Sequence, residues 1–162
     1  MTTLSKGQAA PGFELKGVDG ASYSLKGLLP DRAVLAAFFK VSCPTCQFTL
    51  PFLERIHRQA RERGGQVLGI SQDCEEDTRR FAQKFGLTFP VLIDPKPYAV
   101  SREYRLKFVP SLFLVGRDQT IQAACDGFSK PDLLEMQNYL NDASPLPPLF
   151  EAGERVPQYK PG

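Results

Sequence analysis

The chain has 162 residues, of which 42% are hydrophobic and 23% charged. That suits one compact domain and excludes disordered or coiled-coil chains. Twenty lysines and arginines against eighteen acids leave a net charge of +2, far from the concentrated basic stripe that nucleic-acid binding needs. No run approaches the roughly 18 consecutive apolar residues that would span a bilayer.

The start, MTTLSKGQAAPGFEL, has no long apolar segment after its lysine and does not read as a secretory signal. The expected location is cytoplasmic, or periplasmic if a leader has been removed. Phe13 and Leu15 alternate with polar neighbours, Asp19-Gly20 supplies a turn, and Tyr23 and Leu25 return, which predicts an N-terminal β-hairpin. AVLAAFF, residues 33 to 39, is a nearly continuous apolar run, the pattern of a strand buried on both faces of a sheet covered by helices. The period then changes. Phe52, Leu53, Ile56 and Ala60 share one side of a helix predicted from about residue 43 to 63, kinked by Pro51 and ended by Gly64-Gly65.

Residues 66 to 71 (QVLGIS) form the next predicted strand. A helix follows over about 75 to 85, with Phe81 and Phe85 facing inward, acids in its first turn and Gly86 at its end. Residues 91 to 93 read as a short strand and 97 to 105 as a brief helix. Residues 111 to 115 and 121 to 125 form a hairpin across Gly116 to Thr120, and Ser129 caps a last helix with Leu133, Leu134, Met136 and Leu140 as its apolar set. Residues 144 to 162 carry five prolines and no periodic stripe. They read as an extended tail, packed on the surface or disordered. The domain expectation is therefore 1–143 as one α/β unit and 144–162 as a proline-rich tail.

Four cysteines are too few for a disulfide scaffold. Cys43 and Cys46 form a CPTC tetrad directly after the most hydrophobic strand, at the mouth of the first long helix. Free amides at a helix N-terminus stabilise a thiolate, so Cys43 is the expected attacking group. Pro44 and Thr45 let Cys46 reach it within one turn; Pro44 is harmless where amides lack intrahelical partners, and Ser42 is the expected cap. The chemistry that follows is thiol–disulfide exchange: Cys43 attacks a disulfide and Cys46 displaces the mixed disulfide, or the same steps run in reverse as an oxidase, the direction being set by the pair's reduction potential. Structural zinc is the other use of such a tetrad, but zinc wants four ligands, Cys74 and Cys125 are isolated, and His57 is the only histidine. Cys74 and Cys125 are expected to be structural, and His57 a half-exposed surface residue.

CPTC after an apolar strand with Pro51 beyond it resembles the thioredoxin fold. GQAAPGFEL, DGASYSL, GISQDCEEDTRRFAQKFGLTFPVLIDP and FVPSLFLVGRD resemble the redoxin branch, the AhpC/TSA- and TlpA-like proteins, over about residues 7 to 141. The resemblance implies a thioredoxin-like three-layer α/β/α sandwich: a mixed central sheet, an N-terminal hairpin, and a helix–strand insertion between Ser71 and Pro95. It implies that Pro110 is a cis-proline opposite the cysteines and that the Val109 backbone is where an incoming peptide pairs. It also sets Asp73 where membrane-anchored reductases of this branch have a glutamate. Asp73 is then either a base for Cys46 or simply the cap of the helix starting near Glu75. Two departures stand out: Ser42 replaces the usual tryptophan before the first cysteine, and Ala37 replaces the buried acid of thioredoxins.

The resemblance leaves two alternatives. A thiol-dependent peroxidase would use Cys46 as its peroxidatic cysteine, but Cys43 and Pro110 then occupy the expected threonine and arginine positions. A copper-delivery domain would suit soft thiolates, but its cysteines are spaced differently and its distant histidine is missing. No GxGxxG follows a strand. The expectation is an oxidoreductase with no cofactor and no metal beyond the Cys43–Cys46 dithiol. Its expected partners are a protein or small-molecule disulfide and a separate donor, such as a thioredoxin or low-molecular-weight thiol. Nucleic acid and membrane are not expected partners.

Overall fold

The computed structural model describes residues 2–141 and 146–162; the predicted domain boundary at 143–144 and Pro145 lie outside them. The amino-terminal hairpin joins β1 (Glu14–Lys16) to β2 (Ser22–Ser24), with Leu15 opposite Tyr23. Leu25 does not extend β2 as expected. Ser24 Oγ accepts the Gly27 N–H at 2.9 Å and starts a one-turn helix, α1 (Leu25–Leu28), that buries Leu25.

The central sheet comprises β3 (Ala33–Phe39), β4 (Gly65–Ser71), β5 (Val91–Ile93), β6 (Ser111–Val115) and β7 (Ile121–Asp126), in the order β5-β4-β3-β6-β7. β3, β4 and β5 run parallel; β6 is antiparallel to β3 and β7 to β6. The apolar run in β3 has its predicted cause. Leu35, Ala37 and Phe39 join one core, while Val34, Ala36 and Phe38 join the core on the opposite face. Helices α2 (Pro44–Ala60), α3 (Glu75–Lys84) and α5 (Lys130–Asn141) supply the first core, through Leu53, Phe81 and Met136 among others. Helices α1 and α4 (Ala99–Glu103) supply the second, where the Tyr104 ring lies 4.9 Å from that of Phe113 and 5.0 Å from that of Phe38. This is the expected three-layer α/β/α sandwich, with α3 and β5 as the helix–strand insertion.

Helix α2 continues through Pro51 and ends in a 3-10 turn, Arg61–Arg63, before Gly64 in the left-handed region. Gly65 is required by close packing: a Cβ there would lie 2.9 Å from the Leu140 carbonyl oxygen. No helix among the described residues is long and apolar enough to cross a membrane.

Three sequence expectations are corrected or refined by the packing. Leu134 is exposed rather than part of the α5 core face. Of the two readings of the tail, its described residues follow the packed one: Tyr159–Lys160 forms β9, which pairs antiparallel with β8 (Phe128–Ser129). Leu149 is buried, the Phe150 ring stacks 5.1 Å from Phe52, and Arg55 holds Glu154 through two bonds of 2.7 and 2.9 Å. The third is His57, which is buried, 5.8 Å from the Phe89 ring, its Nδ1 without a hydrogen-bond partner among the described residues. Its neighbour Glu54 is also buried and accepts from Thr88 N–H (2.7 Å), Thr88 Oγ1 (2.6 Å) and Arg58 Nε (2.8 Å).

These two buried groups contribute to the acid sensitivity of the fold. Burial, with Arg61 and Arg58 nearby, holds the His57 imidazole below its usual 6.5 despite Glu54. The folded chain therefore binds that proton less readily than the unfolded chain, and stability falls as pH drops below 6.5 towards the depressed value. Burial alone would raise Glu54, but its hydrogen bonds hold it below 4.5, so its stabilisation is lost as pH falls through its folded value. Thermal melts between pH 7 and 5 should show a falling midpoint, and His57→Leu should flatten it. Glu54→Gln should cost about 2 kcal/mol at pH 7 in denaturant titrations, because a buried charged acceptor of three hydrogen bonds is lost.

Candidate active site

Cys43 and Cys46 sit where β3 feeds α2 at the top of the sheet. Cys43, not Ser42, is the N-cap: its backbone is extended (φ −82°, ψ 116°), and its Sγ accepts the Cys46 N–H at 3.1 Å. Pro44 fills the first helical turn, where its missing N–H is no loss. Ser42 is exposed and does not cap, because the chain turns into helical geometry one residue later than expected. An N–H donated to sulfur at a helix N-terminus strengthens when that sulfur becomes a thiolate.

The Cys43 thiol also donates to the Val109 carbonyl at 3.5 Å, and the Val109–Pro110 peptide bond is cis. Cys43 is half-buried, whereas Cys46 is fully buried behind it. Burial pushes the Cys46 thiol far up, and the Cys43 contact and the Asp73 charge push in the same direction. The two sulfurs are thus unequal: one is half-buried and hydrogen-bonded, the other is enclosed and keeps its proton.

Asp73 does not cap α3; Cys74 holds that position and makes no side-chain cap bond. Asp73 Oδ2 instead accepts the Val41 N–H at 2.8 Å, tying the end of β4 to the loop that carries Cys43. Gln47 Nε2 holds the same loop through the Val41 carbonyl at 2.9 Å. Beside Val109 lies a shallow hollow of about 230 Å³ lined by Lys40, Gln72, Leu106, Lys107 and Phe108, and Phe108 is exposed. A larger hollow of about 550 Å³, among Arg63, Arg117 and Tyr139, lies at the other end of α2 and is lined by no cysteine.

Residues 6–124 match the AhpC/TSA family. The chain belongs to that family. It is 27% identical over 130 residues to the thiol-disulfide oxidoreductase ResA of Halalkalibacterium halodurans, covering 80% of this chain and 73% of that protein. It is 28% identical over 122 residues to the thioredoxin-like protein YneN of Bacillus subtilis, covering 74% and 70%. Among solved structures, a thiol:disulfide interchange protein DsbE from Chlorobium tepidum superposes with a TM-score of 0.75 at 28% identity, covering 85% of this chain and 98% of that one.

In this AhpC/TSA-family chain the other two cysteines stand apart from the pair. Cys74 is exposed rather than structural as expected. Cys125 is half-buried on β7, where burial pushes its thiol up to about 12. Among the described residues no three His, Cys, Asp or Glu side chains cluster closely enough to hold a metal ion. Sequence reasoning missed Gln47 and the tail. Thr45 Oγ1 donates to the Pro161 carbonyl at 2.6 Å, which brings the last residues of the chain onto the cysteine site. A glutamine six residues past Val41 carries no signal of its loop-clamping role, and proline content reveals extension but not destination.

Proposed function

We propose that the chain is a thiol–disulfide oxidoreductase in which Cys43 is the nucleophile, Cys46 the resolving thiol, and Asp73 the base that serves Cys46. The observation that carries this reading is the inequality of the sulfurs: a half-buried, N–H-bonded Cys43 Sγ at a helix N-terminus, with Cys46 fully buried behind it. Cys43 thiolate attacks one sulfur of a disulfide, forming a Cys43–substrate bond and releasing the other sulfur as a thiolate. Cys46 then attacks Cys43, forming the Cys43–Cys46 bond and freeing the second substrate sulfur. The substrate gains two electrons and two protons, and a separate thiol donor returns them to the chain. Val109 and Pro110 form the wall against which the substrate sulfur is presented, while Ser42, Pro44 and Thr45 surround the nucleophile. The substrates are protein or low-molecular-weight disulfides, and the dithiol itself is the redox centre.

A peroxidatic role for Cys46 runs against its environment. That thiol is fully buried and pushed up, whereas peroxide reduction needs an accessible thiolate. Equilibration in glutathione buffers, followed by alkylation and peptide mapping, tests the assignment. A single two-electron couple between Cys43 and Cys46 is expected, and a couple involving Cys74 or Cys125 overturns it.

A further inference from the structure

We infer that the segment Tyr159–Gly162 is a built-in occupant of the groove beside Cys43, which biases the chain towards small disulfides and against extended polypeptide ones. This inference rests on the thiol–disulfide reading above. Three observations place the segment. β9 is paired with β8, and the Lys130 N–H donates to the Gln158 carbonyl at 2.9 Å. The Pro161 carbonyl accepts from Thr45, a buried residue of the tetrad. Gly162 lies so close to Val109 that an added Cβ would collide with the Val109 carbonyl oxygen. That oxygen is the same atom that receives the Cys43 thiol.

The contact blocks polypeptides more than small molecules for a geometric reason. Val109 precedes β6, whose pairing with β3 begins only at Ser111, so its backbone belongs to no ladder of the central sheet. A polypeptide that brings a disulfide to Cys43 must lay backbone on both sides of the reacting sulfur. On one side that space holds Pro161 and Gly162. A small disulfide needs no such bed of backbone and can approach half-buried Cys43 from the hollow that Phe108, Lys107 and Val109 border.

The seat is specific rather than a loose end resting on a surface. Lys160 Nζ lies 5.6 Å from the centre of the Phe48 ring, and Gly127, at φ +70°, leaves just enough room for the strap. A Cβ on Gly127 would collide with the Lys160 carbonyl. Upstream, the Arg55–Glu154 pair and buried Leu149 hold the tail to α2 and the core, so residues 149–156 have anchors of their own that do not depend on the strap. Apparent affinity for a polypeptide falls by the fraction of chains in which the strap is open.

The test compares the full chain with one ending at Val156, each assayed on a folded protein disulfide and on a small linear disulfide. The truncated chain should gain about tenfold in kcat/KM on the protein disulfide and change less than about twofold on the small one, the pattern of a removed competitor. Gly127→Ala in the full chain should shift the ratio in the same direction, with melting curves checking that both variants fold. An unchanged ratio of the two activities in both folded variants overturns the inference. If neither form turns over any disulfide, the oxidoreductase reading fails. The strap is then judged by alkylation of Cys43 with a bulky maleimide, expected to be about tenfold faster in the truncated chain; equal rates overturn it.

Discussion

Cys43→Ser is expected to abolish disulfide reduction, with a loss of about 10³-fold or more, because a hydroxyl supplies no thiolate and cannot form the mixed disulfide. Cys46→Ser should behave differently. Its Cys43 remains at the helix N-terminus and still receives the residue-46 N–H, since that bond comes from the backbone. The first attack therefore proceeds and the second cannot, so mixed disulfides between Cys43 and substrate should accumulate and survive non-reducing electrophoresis. The contrast between the two variants assigns the order of attack. If Cys46→Ser retained full turnover without trapped adducts, Cys43 would not need its neighbour. If Cys43→Ser trapped adducts instead, the roles would be reversed, against the burial of Cys46.

The second large effect concerns Asp73. Cys46 must lose its proton before it can resolve the mixed disulfide, yet burial, then the Cys43 contact, then the Asp73 charge all hold that proton on. A carboxylate in this position has two opposed influences. As a fixed charge it hinders the thiolate; as a base it takes the proton at the moment of attack. Asp73→Asn separates them by sign. If the carboxylate acts as base, the resolving step should slow by about 10²-fold, within the usual range for general-base catalysis. If it acts only as a charge, the same substitution should speed the step. The side-chain oxygen of asparagine can still accept the Val41 N–H that Asp73 Oδ2 takes at 2.8 Å, so the loop should keep its place.

The pH profile gives a second reading of the same variant. Without an internal base, resolution depends on the small free-thiolate fraction of Cys46, which rises about tenfold per pH unit below its pKa. The Asn variant should show that steep rise across neutral pH, and the native chain a flatter one. Rapid-mixing measurement of mixed-disulfide decay would provide both numbers. A native-like rate and profile in Asp73→Asn would leave Asp73 as a backbone acceptor for the Cys43 loop and nothing more.

Much of this site was legible because its signals are local. An apolar run broken by CPTC, then a 3.6-residue stripe through Phe52, Leu53 and Ile56, describes a strand running into a helix with thiols at the junction. The Asp19-Gly20 turn marked the hairpin for the same reason, with Gly20 at φ +87°. Misreadings arose where one residue of phase mattered. Ser42 and Cys43 are both able to cap, and only the path of the loop, tied down by Asp73 and Gln47, decides that Cys43 does. His57 is buried although the arginines beside it in sequence suggest solvent. Its burial depends on Phe89, which reaches it from a distant part of the chain.

The sequence by itself determined the layered α/β architecture, the cysteine pair and the thiol–disulfide class of its chemistry. Each follows from hydrophobic period, turn residues and helix ends, which act over a few residues along the chain. Only the tertiary structure decided which cysteine is enclosed, that Asp73 grips the Cys43 loop instead of capping α3, and that the tail returns to Thr45 and Val109. Those outcomes depend on contacts such as Thr45 with Pro161, separated by 116 residues. Such pairs form because two surfaces meet after the sheet and helices have packed, and no local pattern records which surfaces those will be.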